Sequence, residues 1–314
     1  MSEAVVLSTR SSRYFADLIA DRLGLERLSI ERSQFSSSEA YYRIEINHRM
    51  DLTGKDAIFV GSTHTDRELL ELYRVGNVLF DYGTRHRIFI IPFLGYSTME
   101  RAVYPGEVVT AKENARLLSS IRGQTTNTFL MLDLHEAGLV HYFEGDCHKE
   151  ELYAETLILR EIESLKLKNF VLASTDLGRT DWIETYANCC GVEDMAFISK
   201  SRNRENTTVF RVTGHVKDRD VVIYDDMIRS GSSLINAAEA YKDRGAKDVY
   251  ALVSHLALNN ASVVEKLELS SIIKIVATNS HPMSQSEAVQ QSRKIVIEDV
   301  SDVFVQAIRK ILNL

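Results

Sequence analysis

Two adjacent carboxylates, Asp225 and Asp226, close an apolar run that starts at Val221, and a turn of small residues, Ser230-Gly231-Ser232-Ser233, follows them. The pattern is that of a buried strand ending in two acids, then a turn, then a helix. Ligands of open α/β sheets sit beyond the carboxyl ends of the strands. Backbone N–H groups and hydroxyls of such a turn, placed at a helix N-terminus, form a seat for a phosphate monoester. Asp225 and Asp226 would then accept hydrogen bonds from sugar hydroxyls or hold hydrated Mg²⁺. The turn alone serves equally well as a capped helix start; the strand and its paired acids favour a ribose-phosphate site.

Other residues of the same kind lie just after apolar runs. His135 follows the run 128–134, with Asp133 two residues before it, so both can emerge at the carboxyl edge of a sheet. A strand-end histidine is as a rule a hydrogen-bonded structural residue. Asp176, in Ser174-Thr175-Asp176-Leu177-Gly178, stands in the same kind of place, although local sequence allows a turn residue with Gly178 closing it. Lys200 and Arg202 form a Lys-x-Arg pair that by itself reads as a solvated loop. His141 and His148 fit no common zinc spacing with His135.

Short β-branched and apolar runs alternate with helical periodicities along the whole chain, the pattern of βα units around a largely parallel sheet. The fold class is therefore α/β. Strands are expected at 4–7, 57–61, 87–93, 128–134, 169–175, 221–225, 248–254 and 272–277, and helices near 66–82, 108–122, 150–165, 180–190, 232–244 and 301–313. A further helix starts after Ser11 or Ser12, with Phe15, Leu18, Ile19 and Leu23 on one face and Gly24 as its C-cap. That is too many strands for one five-stranded sheet. The charged helix expected near Lys149 marks a seam between two halves, 1–148 and 149–314.

With 314 residues the chain has room for about two domains of ~100–200 residues. Its 45% hydrophobic and 26% charged residues are ordinary for a globular protein, and no apolar run approaches the ~20 residues that span a bilayer. The first residues carry no secretory pattern, so a cytoplasmic location is expected. Lys and Arg total 37 against 44 Asp and Glu, a net charge of -7, which argues against a nucleic-acid or anionic-membrane surface. Three cysteines, Cys147, Cys189 and Cys190, build neither a disulfide framework nor a zinc spacing. Three prolines and 15 glycines leave no flexible linker.

The 221–234 segment resembles the phosphoribosyl-pyrophosphate-binding motif, and nearly the whole chain is similar to the ribose-phosphate pyrophosphokinase (phosphoribosyl pyrophosphate synthetase) family. The resemblance is carried, in order, by Ala20-Asp21-Arg22-Leu23-Gly24-Leu25, Phe35-Ser36 with Glu39, Ile91-Pro92 with Gly95-Tyr96, and Asp133-Leu134-His135. It continues through Leu152-Tyr153-Ala154-Glu155, Val216-Lys217-Asp218-Arg219 and Asp225-Asp226-Met227. It implies two phosphoribosyltransferase-like α/β domains, and transfer of the β,γ-diphosphoryl group of ATP to the C1 hydroxyl of ribose 5-phosphate with Mg²⁺. Positioning and charge neutralisation carry most of such a transfer.

By the same resemblance Lys200 and Arg202 match the catalytic-loop lysine and arginine that hold the diphosphate and the leaving AMP. His135 and Asp176 match residues that meet Mg²⁺, His135 also contacting ATP phosphate and Asp176 the ribose. Phe35, Glu39, Glu100 and Arg101 fall on the ATP side, with Phe35 stacking on adenine, often that of a neighbouring subunit, which implies a dimer or hexamer. Asp225, Asp226, Arg229, Ser230, Gly231, Ser232 and Ser233 fall on the ribose-phosphate side.

Departures from the family pattern mark a divergent branch. The family's Ala-Arg-Gln-Asp-Arg is here Ser97-Thr98-Met99-Glu100-Arg101, its Asp-Ala-Gly-Gly is Asp176-Leu177-Gly178-Arg179, and a following Lys-Arg pair is Asp181-Trp182. Arg229 stands where a small or acidic residue is usual and Ser232 where glycine is common. The alternatives are the same chemistry on another 5-substituted ribose such as ADP-ribose, and a non-catalytic regulatory homologue. A phosphoribosyltransferase would be about one such domain long, shorter than this chain.

Overall fold

The computed structural model describes residues 3–202 and 208–314, and the side chains of 200–202 and 208–210 lie outside the description. Strands make up the sheet of the first unit, the central ones nearly continuous apolar runs because both of its faces are covered there. They are β1 (Ala4–Ser8), β2 (Glu26–Arg27), β5 (Asp56–Val60), β6 (Arg87–Ile91), β7 (Asn127–Leu132) and β8 (His148–Leu152), with a separate antiparallel hairpin of β3 (Ile30–Gln34) and β4 (Ala40–Ile44). The sheet runs β2-β1-β5-β6-β7-β8 with every pair parallel. Its centre is aromatic: Phe59, Phe89 and Phe129 share one register row, and the Phe89 and Phe129 rings stack at 4.9 Å.

Helices α1 (Arg13–Leu23), α2 (Asp66–Asp81) and α3 (Thr110–Ser119) connect these strands. α1 buries Phe15, Ala16, Ile19 and Ala20 and stops at Gly24, whose φ of 64° is the left-handed conformation that glycine adopts without strain. The expected helix at 150–165 begins later, as α4 (Glu155–Ser164), because 148–152 is strand β8. His148-Lys149-Glu150-Glu151-Leu152 looks helical by composition, but pairing with β7 overrides propensity, and its charges suit an edge strand.

In the second unit α4 is followed by β9 (Phe170–Ser174), α5 (Thr180–Cys190), β10 (Met195–Arg202), β11 (Thr208–Thr213), β12 (Asp220–Ile228) and α6 (Ser232–Asp243). Then come β13 (Val249–Leu256), α7 (Ser262–Leu269), β14 (Ile272–Thr278), α8 (Glu287–Gln290) and β15 (Ile295–Glu298). The sheet order is β11-β10-β9-β12-β13-β14-β15, parallel except for the antiparallel β10–β11 pair. The α/β class with two largely parallel, helix-flanked sheets is as expected.

The seam falls elsewhere than expected. One unit comprises the chain up to Tyr153 together with Val300–Leu314, and the other Ala154–Asp299. The last helix, α9 (Ser301–Leu312), buries Phe304, Val305 and Ile308 and sets the Phe304 ring edge-on to Phe15 of α1 at 5.5 Å. Its apolar face is what draws the C-terminus into the first unit. No helix among the described residues is long and apolar enough to cross a membrane.

Candidate active site

In the second unit β9 and β12 are adjacent and parallel, Ser174 opposite Tyr224, so the residues after β9 meet the acids of β12 at the carboxyl edge of the sheet. Asp225 and Asp226 do not end their strand as expected. β12 continues to Ile228, with Met227 and Ile228 paired to His255 and Leu256, because the alternation carries Ile228 into the core. The Thr175 hydroxyl donates to Asp225 Oδ2 at 2.8 Å, and the Asp226 amide donates to Asp225 Oδ1 at 3.0 Å. Burial first, and the neighbouring Asp226 carboxylate second, push the Asp225 carboxyl upward, against the opposing pull of Thr175 and Arg179.

Arg179, immediately before α5, turns its guanidinium onto Asp226, Nη2 to Oδ2 2.9 Å, with the two side chains 11% and 7% exposed. Arg179 thus neutralises one member of the acidic pair. Trp182, another departure, packs 5.9 Å from both the Tyr186 and Tyr224 rings behind the acids. Asp176 is half-buried, and its Oδ1 accepts from the Gly178 amide at 2.8 Å, so it closes a turn and lies at the site edge at once.

The loop from Arg229 to Gly231 leads into α6. Gly231 is its N-cap at φ 75°, and an added Cβ would stand 3.2 Å from Val263, so a side chain is disfavoured twice. Ser230, Ser232 and Ser233 are exposed, the Ser232 amide reaches Ser230 Oγ at only 3.4 Å, and Arg229 is half-buried beside them. An open helix N-terminus with hydroxyls and a guanidinium around it suits a phosphate.

Lys200 and Arg202 lie on strand β10, opposite Phe210 and Thr208, rather than in a loop. Their side chains lie outside the described residues.

In the first unit His135 and Asp133 follow β7 as expected. Asp133 is buried at φ 38°, and the Leu134 amide donates to Glu151 Oε1 at 2.9 Å. After β6 the chain passes so close to the end of β5 that a Cβ on Gly95 would overlap the Thr63 carbonyl, at 2.0 Å. That contact sets the course of the loop bearing Glu100 and Arg101, which pair at 3.4 Å, and the Tyr142 hydroxyl holds the Glu100 carbonyl at 2.6 Å. Phe35 and Glu39 are set apart on the β3–β4 hairpin, where the Phe35 amide donates to the Glu39 carbonyl at 3.0 Å and the Phe35 ring is 59% exposed. Their hydrogen bonds and ring contacts among the described residues stay within the hairpin.

Sequence reasoning missed the buried polar net under the second site. His255 Nδ1 meets Ser280 Oγ at 2.8 Å, Thr278 Oγ1 donates to the Ser254 carbonyl at 2.6 Å, and Tyr241 donates to the Ser174 carbonyl at 2.8 Å. These bonds pin the ends of β9, β13 and β14, the strands on either side of the one that carries the acids. Polar residues inside the apolar runs 249–256 and 272–280 were the available signal.

Residues 4–121 match the family model described as the N-terminal domain of ribose phosphate pyrophosphokinase, and 181–314 match the phosphoribosyl synthetase-associated domain. A ribose-phosphate pyrophosphokinase of Vibrio parahaemolyticus is 30% identical over 317 residues, covering 100% of this chain and 97% of that protein. The protein of that name from Vibrio cholerae is 31% identical over 302 residues, covering 95% and 92%. The crystal structure of phosphoribosylpyrophosphate synthetase from Mycobacterium smegmatis superposes with a TM-score of 0.88 at 22% identity, covering 99% of both chains, which is a likeness of fold.

Proposed function

The chain belongs to the ribose-phosphate pyrophosphokinase family, and from that premise we propose that it transfers diphosphate from ATP to the C1 hydroxyl of ribose 5-phosphate, giving phosphoribosyl pyrophosphate and AMP. The observation that carries this reading is the meeting of Thr175, Asp225 and Asp226 at one sheet edge with the open N-terminus of α6 on the same strand–turn–helix segment. A 5-phosphate on the Ser230–Ser233 amides and hydroxyls, with Arg229 adding charge, leaves the ribose hydroxyls facing the aspartates.

In the reaction the C1 oxygen forms a bond to the β-phosphorus, the bond from that phosphorus to the bridging oxygen of AMP breaks, and the hydroxyl proton is lost. Asp225 and Asp226 accept from the sugar hydroxyls and orient C1. Lys200 and Arg202 hold the moving diphosphate and the leaving AMP. On the ATP side Phe35 stacks on adenine, Glu39, Glu100 and Arg101 make polar contacts, and His135 meets phosphate. An aromatic ring as open as that of Phe35 suits service to the nucleotide of a second copy, in a homodimer or hexamer.

Mg²⁺ fits the donor chemistry: Asp176 offers a half-buried carboxylate near Asp225, whose carboxyl is pushed toward its neutral form by burial and by Asp226, a penalty that a divalent cation would relieve. By the family resemblance Asp176 of the second unit and His135 of the first are each assigned a contact with Mg²⁺, and the ion when bound would neutralise charge on the phosphoryl oxygens. A cytoplasmic location accords with this chemistry.

The Arg179–Asp226 pair favours a second reading, in which a ribose phosphate with a larger 5-substituent is the acceptor. One experiment separates the two: the purified chain is incubated with ATP, Mg²⁺ and either ribose 5-phosphate or ADP-ribose, and AMP is followed by chromatography against a Lys200→Ala control. AMP with ribose 5-phosphate supports the first reading, AMP with ADP-ribose alone supports the second, and none above the control removes both.

A further inference from the structure

A cavity of about 300 Å³ opens in the first unit where β1 ends and α1 begins, and four arginines line it: Arg10, Arg13, Arg27 and Arg32. They come from three places in the sequence. Arg10 and Arg13 flank the start of α1, Arg27 is on β2, and Arg32 is on β3. Ser8 and Thr9, at the carboxyl end of β1, form part of the wall. No carboxylate is among its described lining residues.

Charge compensation around the cavity is incomplete. Asp17 serves two arginines, Arg27 at 3.1 Å and Arg13 at 3.9 Å, while Glu71 takes Arg32 at 2.7 Å. Glu68 is engaged by the Ser11 amide and hydroxyl. Arg10 makes no ion pair within 4 Å among the described residues and shares with Arg32 the longer-range attraction of Glu71. Burial lifts the Glu71 carboxyl above its usual range, and its Oε2 has no hydrogen-bond partner, which weakens the one counter-charge to Arg32. Arg27 is driven down by burial; Asp17 opposes this, and Arg13 and Arg32 add to it in smaller measure, as guanidinium groups that repel one another across the space.

Arg27 and Arg32 are pre-ordered, with side chains 24% and 15% exposed, and Arg32 also donates to the Ser8 and Ile30 carbonyls at 2.5 and 2.8 Å. Arg13 reaches outward at 79% exposure, and Arg10 is exposed too. Two fixed guanidinium groups at the base and two movable ones at the rim suit an anion that enters from solvent and is then enclosed. The N-terminus of α1, an eleven-residue helix, adds its amides and dipole at the same spot. Carboxyl ends of parallel strands are where open α/β sheets take ligands.

We propose that this cavity is a binding site for a compact phosphoryl anion of two or more negative charges, separate from the ribose-phosphate site on β12 and α6. The proposal does not depend on the reaction assigned above. In a chain of net charge -7, a surplus of guanidinium on one polar cavity is a local exception.

The test uses the full chain, inorganic diphosphate and a dicarbonyl reagent for arginine, with modification mapped peptide by peptide by mass spectrometry. Diphosphate is expected to slow modification of Arg10 and Arg13 about fivefold or more, beyond what chloride does at equal ionic strength. The slowing is expected to persist in Arg229→Ala. In a variant carrying Arg10→Glu and Arg13→Glu, both at exposed positions, slowing of Arg27 by diphosphate should vanish while the circular dichroism spectrum is retained. Unchanged rates at Arg10 and Arg13, equal protection by chloride, or loss of protection in Arg229→Ala would each overturn the proposal.

Discussion

Arg179 Nη2 stands 2.9 Å from Asp226 Oδ2, and both side chains are almost wholly withdrawn from solvent. One acid of the pair is thereby held by an ion pair, while its neighbour Asp225 accepts from a hydroxyl and an amide. Removing one partner of a buried pair strands the other charge, so Arg179→Gly is expected to destabilise the fold by ~3–5 kcal/mol, read from denaturant unfolding. The same change uncovers Asp226 for the sugar, so the KM for ribose 5-phosphate should fall severalfold. A stable variant with unchanged KM would show that the pair matters to neither.

Asp225 gives the protein a stability that declines with rising pH. The unfolded chain releases this proton near the ordinary carboxylate pKa of about 4, whereas the folded chain keeps it up to about 7. The neutral carboxyl therefore costs nothing below pH ~4, and the penalty of the buried charge accumulates between that range and about 7. Asp225→Asn keeps both hydrogen bonds by turning its oxygen to the Asp226 amide. It should stabilise the fold by ~1–3 kcal/mol at pH 8 and not at all at pH 3.5. Thermal melts of both proteins across that range check the sign.

Gly231 holds the turn at φ 75° with Val263 packed against its open side. Gly231→Ala should cost ~1–3 kcal/mol through backbone strain and the close Val263 contact. Because the strain falls on the N-cap of α6, ribose 5-phosphate should bind more weakly in calorimetry while nucleotide binding is unchanged.

Phe304 and Phe15 are both fully buried and meet edge to face. Phe304→Ala leaves a cavity worth ~3–5 kcal/mol. Hydrogen exchange should show the loss in α1 and β1 and leave β12 and β13 as protected as before.

The alternation of strand and helix was legible because parallel strands covered on both faces must be apolar, and helices over them must show one apolar stripe. β1, β5, β6, β7 and β9 follow that rule, as does α1 with its Gly24 stop. The hairpin strands Ile30–Gln34 and Ala40–Ile44 do not, since charged residues line much of their surface. Nor does His148–Leu152, which is a strand only because β7 offers it a partner. At the sites, Asp225, Asp226 and Gly231 lie in one stretch and could be read together. Arg179 lies 47 positions before Asp226, and Arg10 and Arg32 are 22 apart; only the packing of α5 on β12 and the reach of Arg32 from the hairpin to the Ser8 carbonyl bring such residues together.

The first unit is assembled from both ends of the chain, with the second unit inserted between them. A ribosome synthesises Ala154–Asp299 before α9, so the inserted unit has its entire sequence made while the apolar face of α1 that receives Phe304 still lacks its cover. Synthesis thus reverses the order in which the units begin, and the one that starts first is completed last. A nascent chain arrested just short of α9 is the form in which that uncovered face is most open to chaperones or to misassociation.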